Sequence, residues 1–196
     1  MPEHQRKKNA AWYWKKQIRP LKAGRDFRKM STEEHKKHAP KRVSIGIITV
    51  STTRTLEDDK SGKWISGQSK QEGHDVVFHK VIPDDAGIIE STVRNRIQKE
   101  NPQVILLTGG TGIAQKDVTI EAVSPLFKKE LSAFGPMFAL LSMKEIGSAV
   151  ILSRATAGVV GSTVVFCMPG SLSACKLACT ELIFPELGHL VKHVRD

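Results

Sequence analysis

The chain has three cysteines, a single tyrosine and only 6% aromatic residues among 196 positions. A small odd set of thiols, Cys167, Cys175 and Cys179, builds no disulfide framework, and their apolar neighbours point to reduced, buried side chains. Cys175 and Cys179 stand four apart on an expected helix, but no second ligand pair accompanies them, which argues against zinc. No apolar run approaches the ~20 residues of a membrane span. The first eight residues, Met1-Pro-Glu-His-Gln-Arg-Lys-Lys8, lack an apolar signal core, so a cytoplasmic protein is expected. No Cys–His or Ser–His pair stands out as a nucleophile, and His189 and His193 near the C-terminus read as surface residues.

A surplus of one charge sign is also missing from most of the chain. The formal net charge is +10, yet residues 1–42 hold 14 Lys and Arg against 4 Asp and Glu, and residues 43–196 hold 16 of each. The basic character therefore belongs to an N-terminal extension, 1–42, and the expected domain, 43–196, lacks the positive surface of a nucleic-acid binder. Within the extension, Trp12, Tyr13 and Trp14 suit docking onto an apolar patch. A capping-box pattern at Ser31-Thr32-Glu33-Glu34 suggests a short helix near 31–38, and Met30 is an alternative start.

From Val43 onward, apolar runs alternate with helical patterns. Strands are expected at 43–51, 76–82 and 104–107, and helices near 63–72, from Asp84 to about residue 100, near 117–130 and near 134–146. Short β-like runs near 150–158 and 163–168 suggest a hairpin, and a last helix starts near Ser171. This alternation predicts a three-layer α/β sandwich with a mostly parallel central sheet plus a short hairpin. In such sheets ligands bind at the carboxyl ends of strands, where the strand order switches. That rule gathers the loops after Ser51, Pro83, Leu107 and Met168.

The loop after Leu107 is the most informative. The run Val104 to Leu107 reads as a buried strand, and Thr108-Gly-Gly-Thr-Gly112 follows before a helical pattern resumes near Asp117. Glycines permit sharp turns and close backbone approach, and a following helix would aim its N–H groups and dipole at the same spot, which suits phosphate. This is not a Walker A loop, because Asp117 follows Lys116 where Ser or Thr belongs. Nor is it the dinucleotide fingerprint, because Gln115 replaces the third glycine. An acid beside a phosphate cradle repels the ligand unless a cation intervenes, so Asp117 either helps to hold Mg²⁺ or caps its helix. Asp58, Asp59, Asp84 and Asp85 lie in neighbouring loops.

Residues about 31–190 resemble the molybdenum-cofactor biosynthesis proteins of the MoaB/MogA type, relatives of the gephyrin G domain. The matching segments are Thr49-Val-Ser51, Glu57-Asp-Asp-Lys-Ser-Gly62, Ile82-Pro-Asp84, Leu107-Thr-Gly-Gly-Thr-Gly112, Asp117-Val-Thr119, Glu145-Ile-Gly147, Leu152-Ser-Arg-Ala155, Ala157-Gly158 and Met168-Pro-Gly-Ser171. The last Ser-Arg-Ala and Met-Pro-Gly-Ser stretches look closest to MoaB.

The resemblance implies adenylylation of molybdopterin by MgATP, giving molybdopterin–AMP and pyrophosphate. It also implies a homotrimer or hexamer and delivery of product to a molybdate-inserting MoeA-type enzyme. By the same resemblance, Asp84 and Asp117 are the essential acids and the metal ligands. Thr108, Gly109, Gly110, Thr111 and Gly112 bind nucleotide phosphate. Ser51, Asp59, Ser61, Gly62, Ser153, Pro169, Gly170 and Ser171 fall on the molybdopterin side. Four departures are visible: Gln115 for proline, Thr52 for aspartate, Pro136 for glutamate, and Leu172 where proline or a polar residue is common. Two readings follow, an adenylyltransferase on the strength of Asp84 and Asp117, or a molybdopterin-binding protein without turnover on the strength of Pro136.

Overall fold

A computed structural model gives the structure of residues 39–195. Most of the basic extension, with Met30, the expected helix near 31–38 and the Trp12 to Trp14 cluster, lies outside the described residues. Packing begins slightly before the expected boundary: Pro40 lies against Gly188, and Arg42 pairs with Asp75 at 2.5 Å.

Six strands form one sheet in the order β2-β1-β3-β6-β5-β4. They are β1 (Ser44–Val50), β2 (Asp75–Ile82), β3 (Val104–Thr108), β4 (Lys129–Glu130), β5 (Thr156–Val160) and β6 (Thr163–Met168). β1 pairs in parallel with β2 and β3, and β3 with β6, whereas β5 and β4 run antiparallel. The hairpin β5–β6 turns at Gly161, φ 63°. β5 starts later than the sequence suggested, because Gly147–Leu152 is a 3₁₀ turn.

The helices are α1 (Lys60–Gln71), α2 (Ala86–Glu100), α3 (Thr119–Val123), α4 (Phe134–Ile146), α5 (Leu172–Ala178) and α6 (Leu187–Arg195). They cover both sheet faces, and strand alternation decides which residues meet which layer. Ile45, Ile47, Leu106, Phe166 and Met168 pack toward α1, α4, α5 and α6 through Ile65, Phe138, Cys175 and Leu187. Ile48, Val50, Ile105, Leu107 and Cys167 pack toward α2 and α3 through Ile89, Val93 and Val123. β1, β3 and β6 are thus apolar on both sides, as central parallel strands must be. All three cysteines are buried and free, and burial pushes each thiol up from its ordinary value.

Three helical expectations need correction. The helix near 117–130 is only Thr119–Val123, because Ser124–Leu126, with Pro125, tightens into a 3₁₀ turn and Lys129–Glu130 pairs with β5. α2 is opened by Asp85, whose carboxylate accepts from Ile88 N at 2.8 Å, which leaves Asp84 uncommitted to the cap. The last helix is broken into α5, a π turn at Cys179–Ile183, a 3₁₀ turn at Phe184–Glu186 with Pro185, and α6.

The apolar-run reading also changes. The helical stretch Phe134–Leu152, 19 residues at mean hydropathy 1.3, is long and apolar enough by length and composition to cross a membrane. Its α-helical part, α4, has 13 residues and spans only ~20 Å before Gly147 ends it with φ 59°. Phe134, Phe138 and Ser142 face the core, while Met137, Leu140, Met143 and Ile146 are exposed on the opposite side.

Candidate active site

The chain leaves β1 toward β2 on one side and later reaches β3 on the other. Loops at the carboxyl ends of β1 and β3 therefore diverge and open a crevice, the switch point of an open α/β sheet. A cleft of about 290 Å³ lies there, with Asp84, Asp117, Arg54 and Lys116 in its wall beside Gly109 to Gly112 and Pro169-Gly170. A wider hollow of about 500 Å³, lined by His79, Lys80 and Leu56, shares Ser51, Thr52 and Arg54 with it.

The glycine loop is shaped by close approach. Gly109 and Gly110 take φ of 99° and 60°, where side chains with a Cβ are strained. A Cβ on Gly109 would collide with the Val50 carbonyl, and one on Gly110 would stand 2.5 Å from Thr119 Oγ1 and 3.2 Å from Asp84 Oδ1. At Gly112 it would lie 2.7 Å from Asp117 Oδ2. Both acids thus border the same loop. The expected helix dipole has little part here: α3 has five residues, and the N–H of Thr119 is spent on the Gly110 carbonyl at 2.9 Å.

Asp117 does not cap α3. The N-cap is Val118, without a side-chain bond, and Asp117 Oδ2 instead accepts from Ala114 N at 2.9 Å. Asp84 is half-buried, and its Oδ2 accepts from Thr52 Oγ1 at 2.5 Å. Hard carboxylate oxygens on two loops facing a backbone cradle suit a small divalent cation that shares its shell with phosphate.

Other expected site residues do not line the cleft. Asp59 is fully buried, caps α1 through Gly62 N at 2.9 Å, and accepts from Thr49 Oγ1 at 2.5 Å. His79 Nε2 stands 2.8 Å from its Oδ2, and any side chain at Gly62 would strike this pair. Ser61 and Thr108 donate to the carbonyls of Gly170 and Pro169, each at 3.0 Å, and so fix the loop after β6. Ser171 caps α5, accepting from Ala174 N at 3.3 Å. Ser153 ends the 3₁₀ turn outside the cleft wall.

The buried Asp59 has a consequence for acid stability. Burial pushes its carboxyl up, but hydrogen bonds from His79, Thr49 and Gly62 outweigh this and hold it below the ordinary 3.8. A depressed native value stabilises the fold fully above the ordinary value, and that share is lost as pH falls through the native one. Asp59→Asn should cost about 1–3 kcal/mol at neutral pH. It should also flatten the dependence of stability on pH below 3.8, measured by urea unfolding at a series of acid pH values.

Residues 46–189 match the family described as "Probable molybdopterin binding domain". The chain belongs to this family. The relatives include molybdenum cofactor biosynthesis protein B of Bacillus subtilis, 49% identical over 167 residues, which covers 85% of this chain and 98% of that one. A molybdopterin adenylyltransferase of Pyrococcus furiosus is 42% identical over 173 residues, 85% of this chain and all of the other. A crystal structure of molybdenum cofactor biosynthesis protein B superposes with a TM-score of 0.77 at 46% identity, covering 80% of this chain and 98% of that one.

Within this molybdopterin-binding domain the departures acquire a setting. Thr52 is the donor to Asp84, so a hydroxyl satisfies an acid where an aspartate would repel it. Pro136 lies in the first turn of α4, outside both hollows. Three residues lining the cleft or the neighbouring hollow escaped the sequence reading of the site. Arg54 sits in a loop already singled out, Lys116 in the glycine loop itself, and His79 on β2, where only tertiary contact reveals it.

Proposed function

We propose that the protein transfers AMP from MgATP to the terminal phosphate of molybdopterin. A phosphate oxygen of the pterin attacks the α-phosphorus of ATP in line. A new P–O–P bond forms, the bond from the α-phosphorus to the bridging oxygen breaks, and pyrophosphate leaves with that oxygen. The observation that carries this reading is the pair Asp84 and Asp117 bordering one glycine loop at the switch point. Asp84 and Asp117 would hold Mg²⁺, a cation that one or two carboxylates together with substrate phosphates can bind. When bound, the metal neutralises charge between two anions that must meet.

The chain's own groups do the rest. Arg54 and Lys116 add positive charge, the backbone of Gly109 to Gly112 cradles nucleotide phosphate, and Thr108, Ser61 and Asp59 hold the loops in place. Two hollows that share Ser51, Thr52 and Arg54 suit a two-substrate reaction, with the reacting phosphates meeting at the common wall. By the family resemblance, Ser51, Gly62, Ser153, Pro169, Gly170 and Ser171 are assigned to molybdopterin, with Ser51 on the common wall and Pro169 and Gly170 beside the glycine loop. The relative named molybdopterin adenylyltransferase favours turnover over mere binding, and Pro136, in place of the acid, does not line the cleft. The test is pyrophosphate release, which should require the protein, molybdopterin and Mg²⁺ together; release without molybdopterin would refute the assignment.

The same reading includes a homotrimer or hexamer in the cytoplasm, passing its product to a molybdate-inserting enzyme of the MoeA type. Besides its core-facing side, α4 exposes Met137, Leu140, Met143 and Ile146, an apolar patch that a partner surface would cover. Leu140→Glu, on the exposed face, should dissociate the assembly while leaving the monomer folded. Light scattering at micromolar concentration reads this, and a wild-type monomer would contradict it.

A further inference from the structure

Four successive carbonyl groups of the glycine loop are tied back into the protein. Thr119 Oγ1 donates to the Gly109 carbonyl at 2.8 Å and the Thr119 N–H to that of Gly110 at 2.9 Å. Arg154 Nε donates to the carbonyls of Thr111 and Gly112, both at 3.0 Å. The donors show the opposite pattern. Among the described residues, the N–H groups of Gly110, Thr111 and Gly112 have no protein acceptor, and all three residues line the cleft. Carbonyl oxygens repel phosphate and N–H groups attract it. A loop with its acceptors sequestered and its donors unspent is therefore selective for an anion.

Half of that sequestration depends on one side chain that is absent from the cleft wall. Arg154 reaches the loop from behind, just ahead of β5. Its fork is held by Glu121 of α3, with Nη1 to Oε1 at 2.6 Å and Nη2 to Oε2 at 3.2 Å. Nη2 also lies 3.5 Å from the Asp117 carbonyl. A planar guanidinium can serve two carbonyls and a carboxylate at once, whereas an ammonium is a point donor.

We infer that Arg154 is a positioning residue for nucleotide binding, holding the Thr111 and Gly112 carbonyls out of the cleft so that the loop's N–H groups meet phosphate, with Glu121 setting its orientation. The inference rests on the nucleotide-phosphate reading of the loop given above.

The experiment is calorimetric titration of the full chain with ATP in excess Mg²⁺, and separately with molybdopterin, for wild type, Arg154→Lys, Arg154→Ala and Glu121→Gln. Arg154→Lys should weaken ATP binding by about tenfold or more, and Glu121→Gln by about threefold. Molybdopterin affinity should change far less in both. Methylguanidinium should restore ATP binding to Arg154→Ala but not to Asp117→Ala, a rescue that general loosening of the fold would not produce. Wild-type ATP affinity in Arg154→Lys, or equal losses for both substrates without rescue, would overturn the positioning role alone. A wild-type protein that does not bind ATP would overturn the phosphate reading and the inference with it.

Discussion

Asp117→Ala should leave a folded protein whose rate of molybdopterin adenylylation is down by about a hundredfold or more. The acid borders the loop at Gly112 and shares the cleft with Asp84, Arg54 and Lys116. Among the described residues, its side chain makes one hydrogen bond, from Ala114 N within its own turn, so removing it should cost little stability. The cost falls on the transition state, where the attacking and leaving phosphates both carry negative charge. At ~1.4 kcal/mol per decade, loss of the proposed metal ligand, if worth several kcal/mol, would account for the drop. Single-turnover kinetics with matched circular dichroism spectra check it. A folded variant with near-normal turnover would remove Asp117 from the metal site.

Gly109→Ala should be the most damaging small substitution for the fold. Its φ of 99° strains any residue with a Cβ, and the added methyl group meets the carbonyl of Val50, which is backbone of a central strand and unable to step aside. The expected loss is about 2–4 kcal/mol, and the melting temperature should fall by roughly 5–15 °C. Gly67→Ala is the contrast: it lies in α1 with nothing within 4 Å of its Cβ position. Better helix propensity there should add about 0.5–1 kcal/mol. Denaturant midpoints of the two variants should move in opposite directions. If Gly109→Ala melted with wild type, the tight packing of β1 against the glycine loop would be refuted.

Much of this architecture was legible in local sequence. Continuous apolar runs marked β1 and β3 because both faces of those strands are buried, and the glycine loop stood out because three glycines cluster straight after such a run. β4 was invisible: Lys129 and Glu130 carry no strand signal and are ordered only by pairing with Val159 and Gly158. The break after α3 follows from Pro125, a local signal that the apolar pattern across 117–130 overrode. The choice between Asp84 and Asp85 as the cap of α2 turned on one residue of register, within the usual uncertainty of helix ends. Arg154 was visible as part of a motif, but its contacts with Thr111 and Gly112 span about forty positions. Asp59, read as a ligand contact, lies wholly inside because its partner His79 comes from a different element.

The central claim is that this cleft joins AMP to molybdopterin. The direct measurement is to incubate the full chain with metal-free molybdopterin and α-phosphate-labelled ATP in Mg²⁺, then separate and weigh the pterin fraction by chromatography and mass spectrometry. The account expects label in a species with the mass of molybdopterin–AMP, formed in equal amount with pyrophosphate and absent when Mg²⁺ is chelated. Unlabelled molybdopterin after prolonged incubation with protein that demonstrably binds both substrates would contradict it and leave a binding protein in its place.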